Sequence, residues 1–437
     1  MPSVLSSNQV RFTLLATLAA FLYRALTQRA PLLFLSTPPA LPSPNTCNIH
    51  HQPILQNCED FTHVQGTPYI FFSCDRARRE WSHAFSSFPG AAPIGEIYLW
   101  NYESPSTAPV LVSGHVTLGA DFHPLGLSAV ALEEGKVRVF VTNQAKVRAR
   151  VEILDVELET GKSNHVKTVV NAKIHSPNGI TAYNSTSFYL SNDFFMARRW
   201  STALLLEAVL GIPGGQVIYV SLPPSSFTEE KQDQQYEAKI YSIAHVCFAN
   251  GLAFDPRESH LYVTSSTHGI YTYSLPSPSE PWLAHPHSFH RTPFAPDNIF
   301  FSHAQKKLYV SGTPSVSAIA TAMMSPSAPG APSWTVELLP GLPRMGEVEE
   351  SVLKREKAFR AVDLANRPLR MEERRWRSVF MDDGSTFGGV STGGVVDSKG
   401  TYVGVSMVRE GVVICGEILE RRGSLPKEEV TENKDEL

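Results

Sequence analysis

The stretch Ser176-Pro177-Asn178-Gly179-Ile180-Thr181-Ala182, followed after a short turn by Phe188-Tyr189-Leu190-Ser191-Asn192, decides the fold. It reads as an Asn-Gly turn signal opening an apolar strand, then a polar hairpin and a second strand ending in Ser or Asn. The pattern returns along the chain. Gly126-Leu127-Ser128 leads to Val139-Phe140-Val141-Thr142-Asn143, and Gly251-Leu252-Ala253-Phe254 to Leu261-Tyr262-Val263-Thr264. Asn298-Ile299-Phe300-Phe301 leads to Leu308-Tyr309-Val310-Ser311, and Gly394-Val395-Val396-Asp397 to Tyr402-Val403-Gly404-Val405. Tyr69-Ile70-Phe71-Phe72-Ser73 supplies a sixth run. Strand pairs recurring every ~50 to 70 residues imply radial repetition rather than one sandwich. The expected fold class is all-β: a six-bladed β-propeller with a central metal site and a few covering helices.

Working outward, residues 47–420 form the propeller. Arg198 to Gly215, with Trp200 and Leu204-Leu205-Leu206, reads as an apolar helix ending at Pro213-Gly214-Gly215 and is a candidate for membrane contact. Residues 346–377 read as a charged helical insertion. Residues 1–36 carry the apolar run Phe12 to Tyr23 after Arg11, a signal sequence or signal anchor. At about 20 residues for a comfortable span, that run is short. Residues 37–46 are a linker, and 421–437 are a charged tail ending in Lys434-Asp435-Glu436-Leu437, the signal read by the KDEL receptor. The expected location is the lumen of the endoplasmic reticulum, whether the leader is kept or removed. Asn184-Ser185-Thr186 is then a usable glycosylation sequon at Asn184. Five cysteines, Cys47, Cys58, Cys74, Cys247 and Cys415, leave at least one unpaired or bonded to another chain. A net charge of −4 with 18% charged residues offers no positive field for nucleic acid.

The residue before each repeat start is where chemistry collects. Asn178 precedes Gly179, Asn250 precedes Gly251, and Asp297-Asn298 sit at the same register. Any one Asn-Gly is first a turn signal. Equivalent positions on successive blades, however, converge on one channel, and Glu59-Asp60 adds a contributor from the first blade. Oxygen donors alone suit a hard divalent cation with waters completing the shell, whereas zinc or copper would call for His or Cys.

These features resemble the serum paraoxonase/arylesterase family of calcium-dependent lactonases and esterases. The matching segments are Glu59-Asp60, Phe122-His123-Pro124-Leu125-Gly126-Leu127-Ser128, Asn178-Gly179-Ile180, Asn192-Asp193, Phe248-Ala249-Asn250-Gly251 and Asp297-Asn298-Ile299. The resemblance implies a catalytic Ca²⁺ held by Glu59, Asn178, Asn250, Asp297 and Asn298, and a propeller closed by a Cys47–Cys415 disulfide. It also implies a second, structural Ca²⁺ at Asp60 and the Leu127 carbonyl. There the remaining carboxylate position is Gly179, so that site is expected to be weak or absent. The family's two proton-transfer histidines fall on Leu125 and Gln144, neither of which accepts a proton.

Three functions remain open on this reading. The first is a calcium-dependent hydrolase of lactones or aryl esters whose base is His123, expected to share a strand face with Leu125, or metal-bound Asp297 or Glu59. His175 is a further candidate, while His245 and His268 read as rim or surface residues. The second is a non-catalytic calcium propeller with a binding or structural role. The third is a related lyase or synthase that works without the two histidines.

Overall fold

The computed structural model describes residues 7–33, 47–80, 95–195, 207, 211–227, 238–292, 294–325, 328, 330–339 and 376–416. Twenty-four strands make six four-stranded antiparallel sheets. Each repeat is therefore a four-stranded blade, of which the recurring sequence pair is the inner half. Blade 1 runs Cys58–His63, Tyr69–Asp75, Gly95–Asn101, Val110–Ser113, and blade 2 runs Pro124–Glu133, Lys136–Asn143, Arg150–Glu157, Ser163–Val169. Blade 3 is Pro177–Asn184, Ser187–Asn192, Gly215–Ser221, Lys239–Val246, and blade 4 is Ala249–Asp255, His260–Ser265, Gly269–Ser274, His285–His290. Blade 5 is Ala295–Ser302, Lys307–Thr313, Ser333–Leu338, Trp376–Asp382. Blade 6 takes Val390–Val395, Tyr402–Ser406 and Val412–Cys415 from the end of the chain and Cys47–His50 from its beginning.

Six apolar clusters, one between each pair of neighbouring blades, hold the wheel together. Within Tyr69–Asp75 the alternation of side chains sends Phe71 toward blade 2, beside Ile97, Leu127 and Val139. Ile70 and Phe72 go the other way, toward Val403 and Val405 of blade 6. Strands buried on both faces read as unbroken apolar runs, which is why Ile70-Phe71-Phe72 shows no alternation in sequence. Closure is a strand pairing of Cys47–His50 against Val412–Cys415 in full register, with the Cys47–Cys415 disulfide across its first pair.

Several expectations need correcting. The first-blade counterpart of the repeat start is Cys58–His63, since Tyr69–Asp75 is the second strand of its blade. Gly215 opens a strand rather than closing a helix, and Trp376-Arg377 begin the last strand of blade 5 rather than ending an insertion. Most of 198–215 and of 346–377, and all of the tail, lie outside the described residues. The N-terminal helix is longer than the Phe12–Tyr23 run, at Ser7–Leu33. Among the described residues no helix is long and apolar enough to cross a membrane. A second disulfide, Cys58–Cys74, pairs the first two strands of blade 1, and Cys247 is buried outside any disulfide, its Sγ accepting from Thr267 Oγ1 at 3.1 Å.

Candidate metal centre

The Asn-Gly pairs are not turns. Every inner strand carries a break in register at the same place: between Cys58/Asp60, Pro124/Leu127, Pro177/Ile180, Ala249/Leu252, Pro296/Ile299 and Val390/Thr392. These are bulges, which re-aim side chains at the rim of a sheet. The six positions they present are Glu59, Leu125, Asn178, Asn250, Asp297-Asn298 and Ser391.

Glycine follows the donor because the inner strands touch there. A Cβ on Gly126 would lie 2.5 Å from the Asn178 carbonyl oxygen, and one on Gly179 would lie 2.6 Å from that of Asn250. A Cβ on Gly251 would lie 2.6 Å from the Asn298 Cα. Each glycine thus lets one blade approach the donor residue of the next. Hydroxyls from the second strands then take the donor residues' main-chain carbonyls. Ser73 Oγ donates to Leu125 O, Thr142 Oγ1 to Asn178 O (2.8 Å), Ser191 Oγ to Asn250 O (2.5 Å) and Thr264 Oγ1 to Asp297 O (2.5 Å). Ser391 Oγ closes the ring on Glu59 O at 2.5 Å. This is the physical role of the Ser or Thr near the end of the second strand in blades 1 to 4, with Ser391 acting from the inner strand of blade 6.

Four of the five expected donors are in contact as two pairs. Asn298 Nδ2 donates to Glu59 Oε1 at 2.8 Å, although 239 residues separate them. Asn250 Nδ2 donates to Asp297 Oδ1 (2.6 Å) and Ser266 Oγ (3.0 Å). Asn178 Oδ1 and Asn250 Oδ1 are buried without a hydrogen-bond partner among the described residues. Four of the five donors are buried, and Asp297 keeps partial exposure. Burial first, and then the charge of Glu59, push the Asp297 carboxyl well above the usual carboxylate range. The same two causes, in the same order, lift Asp60 to about 8. Buried amide oxygens lacking donors, beside carboxylates that repel one another, fit a hard cation. Among the described residues no group of three His, Cys, Asp or Glu side chains is placed to hold a metal, so any cation here depends on the asparagines.

Asp60 is differently placed. Its carboxylate accepts from the Leu127 N–H (3.1 Å), from Thr392 Oγ1 (2.8 Å) and from the Phe61 N–H (2.8 Å). Leu127 therefore presents its N–H, not its carbonyl, to Asp60.

His123 sits immediately before the inner strand of blade 2 instead of within it, and its ring turns to Asp75, with Nδ1 to Oδ2 at 2.8 Å. Both residues are buried. Asp75 was not legible as a partner, being 48 residues away at the end of another blade's strand. Leu125 and Gln144 are buried too, and Gln144 Nε2 donates to Pro177 O at 2.9 Å. His175 is committed to the Phe194 carbonyl at 2.8 Å, and His268 is buried beside the Tyr271 hydroxyl rather than on a rim. Asn184 is exposed at a hairpin, its Oδ1 accepting from Thr186 and Ser187.

The His123 main chain is held by Asn143, whose Oδ1 accepts from the His123 N–H (2.9 Å) and whose Nδ2 reaches buried Glu152 (3.2 Å). Burial alone would raise Glu152. Hydrogen bonds from His165, Thr168 and Arg150 outweigh it and hold the carboxyl at about 2. A depressed folded-state pKa stabilises the protein above the unfolded value of 4.5 and loses that contribution as pH falls toward 2. The expected loss is about 3 kcal/mol. Melting temperatures of wild type and Glu152→Gln from pH 6 to 2 check this. The curves should converge toward low pH, and parallel curves contradict the assignment.

Fold and site together define a six-bladed propeller with an oxygen-lined centre and no histidine or cysteine among its inward donors. A family model described as Arylesterase matches residues 84–280. Serum paraoxonase/arylesterase 2 of Gallus gallus is 26% identical over 171 residues, 39% of this chain and 44% of that protein. Serum paraoxonase/arylesterase 1 of Mus musculus is 26% identical over 194 residues (43% and 49%), and serum paraoxonase/lactonase 3 of Homo sapiens is 24% identical over 186 residues (41% and 47%). The chain spans about half the length of these relatives. Among solved structures, the Malassezia sympodialis allergen Mala s 1 aligns with TM-score 0.45 at 12% identity, covering 86% of this chain and 96% of that one. Over residues 84–280 the chain is thus similar to the paraoxonase/arylesterase family.

Proposed function

We propose that this protein is a calcium-dependent hydrolase of aryl esters or lactones. The observation that carries the reading is the pair of buried amide oxygens on Asn178 and Asn250 with no partner among the described residues, together with the Asn250–Asp297 and Asn298–Glu59 contacts. Those five residues would hold Ca²⁺, whose chemistry there is to polarise the substrate carbonyl. The three donors on Asp60 argue for one cation rather than two.

His123 takes the place of the missing histidines. With Asp75 accepting from its Nδ1–H, Nε2, which lies 4.0 Å from Asp121 Oδ1, is the nitrogen that would remove a proton from attacking water. Asp75 is a positioning residue that fixes the tautomer and steadies the imidazolium. Leu125 and Gln144 add no second base. Residence in the endoplasmic reticulum belongs to the same proposal: two disulfides suit an oxidising lumen, Asn184 is exposed for glycosylation, and Lys434–Leu437 would engage the KDEL receptor. The N-terminal segment and the 198–215 stretch remain the proposed points of membrane contact.

Purified full-length protein, assayed with excess calcium on aryl acetates and on five- and six-membered lactones, tests the proposal. Turnover should vanish on chelation and in Asp297→Ala, and fall about 10²-fold or more in His123→Asn. Asp75→Asn should lower kcat and alter the pH profile without weakening calcium binding. If no substrate is turned over faster than by Asp297→Ala, hydrolysis is refuted. Calcium-dependent thermal stability without turnover would then leave the non-catalytic calcium propeller, the reading that Leu125 and Gln144 favour. A lyase or synthase would show as product formation from amine and aldehyde substrates.

A further inference from the structure

Two arginines are buried among the described residues, and they differ in their partners. Arg138 is clamped bidentately by Asp155, at 2.7 and 2.8 Å. Arg78, 7% exposed, has no carboxylate partner among the described residues. Its Nε donates to Asn57 O (2.9 Å) and its Nη2 to Pro124 O (2.7 Å), which leaves guanidinium donors over. Those two carbonyls are informative. Asn57 lies two residues before Glu59, and Pro124 directly precedes Leu125, so Arg78 spans the inner ends of blades 1 and 2 beside the donor ring. Its charge reaches the centre, where it counters the upward push of burial and Glu59 on Asp297.

A guanidinium stays charged at every working pH and cannot serve as a base. Burying it without a carboxylate is costly, and a ligand anion offsets that cost. Glu59 and Asp297, the carboxylates among the five proposed donors, would balance one Ca²⁺. Arg78 adds a positive charge beside them, so an anionic ligand is attracted. Where the family's resemblance places a proton-transfer histidine, this chain pairs apolar Leu125 with a neighbouring fixed cation.

We infer that Arg78 is a specificity-determining residue that binds a carboxylate, so that the site selects esters and lactones bearing a carboxylate group. The fork of N–H donors matches a carboxylate's two oxygens. The inference rests on the hydrolase reading for the substrate class, but its test does not depend on turnover.

The probes are benzoate and its neutral isostere benzamide, titrated by calorimetry into the full-length protein with calcium, alongside Arg78→Met and Arg78→Lys. Wild type should prefer benzoate. Arg78→Met should weaken benzoate roughly tenfold or more and leave benzamide unchanged, with Arg78→Lys between. Calcium should bind Arg78→Met as tightly as wild type or more tightly, because a positive charge beside the cation has gone. Equal benzoate affinity in wild type and Arg78→Met overturns the inference. So does a joint loss of benzoate, benzamide and calcium binding, which would mark Arg78 as a main-chain clamp only. If the protein takes no calcium, the hydrolase reading fails, while the benzoate and benzamide comparison on the same proteins still decides the role of Arg78.

Discussion

Replacing Asp297 with asparagine is expected to abolish calcium stabilisation while leaving the metal-free protein at least as stable as wild type. The two effects come from one cause. Burial and Glu59 raise the Asp297 carboxyl, so in the absence of a cation its charge opposes folding. Asparagine keeps the Oδ1 that accepts from Asn250 and removes the charge. With calcium, the same change removes one of the few carboxylates in a shell otherwise made of amide oxygens and water. Affinity should fall at least ~100-fold, about 2.7 kcal/mol or more. Glu59→Gln should behave likewise, its Oε1 still accepting from Asn298. Melting curves with calcium and with chelator, for wild type and both variants, give the six numbers needed. A variant that loses stability equally with and without calcium would show that these residues brace the fold and do not hold a metal.

The second large effect concerns closure. Cys47–His50 is the outer strand of blade 6 and reaches it from the opposite end of the chain, with the disulfide spanning 368 residues. Breaking it in Cys47→Ser/Cys415→Ser frees the longest loop available to this fold. The expected cost is ~2–5 kcal/mol, with a fall in melting temperature of roughly 5 °C or more. Because the donor ring lies on the inner strands, calcium affinity should change far less than stability. Cys58–Cys74 makes the contrasting case. Its two cysteines directly precede Glu59 and Asp75, so its loss should weaken calcium binding more than global stability. Identical melting of wild type and the Cys47/Cys415 double variant under non-reducing conditions would contradict this account of closure.

The fold was legible because its geometry writes itself into sequence at fixed register. Inner strands that touch demand Gly126, Gly179 and Gly251, and carbonyls that need donors demand Ser73, Thr142, Ser191 and Thr264. These two demands produce the repeat. What sequence could not supply were the bulges, since Asn-Gly reads equally well as a turn, and the outer strands of each blade, which touch fewer constrained neighbours. The proposed donors Glu59, Asn178, Asn250, Asp297 and Asn298 could be named for the same reason as the repeat. Asp75 and Arg78 were not. Each acts on blade 2 from the end of a blade 1 strand, and no local pattern joins residues that far apart.

A crystal structure of the calcium-loaded protein with anomalous scattering data decides whether these five residues hold one calcium ion. The predicted result is one strong peak at ~2.3–2.6 Å from oxygens of Glu59, Asn178, Asn250, Asp297 and Asn298, with water completing the shell. A peak that leaves Asn178 and Asn250 uncoordinated, or a centre without any peak at saturating calcium, would contradict it.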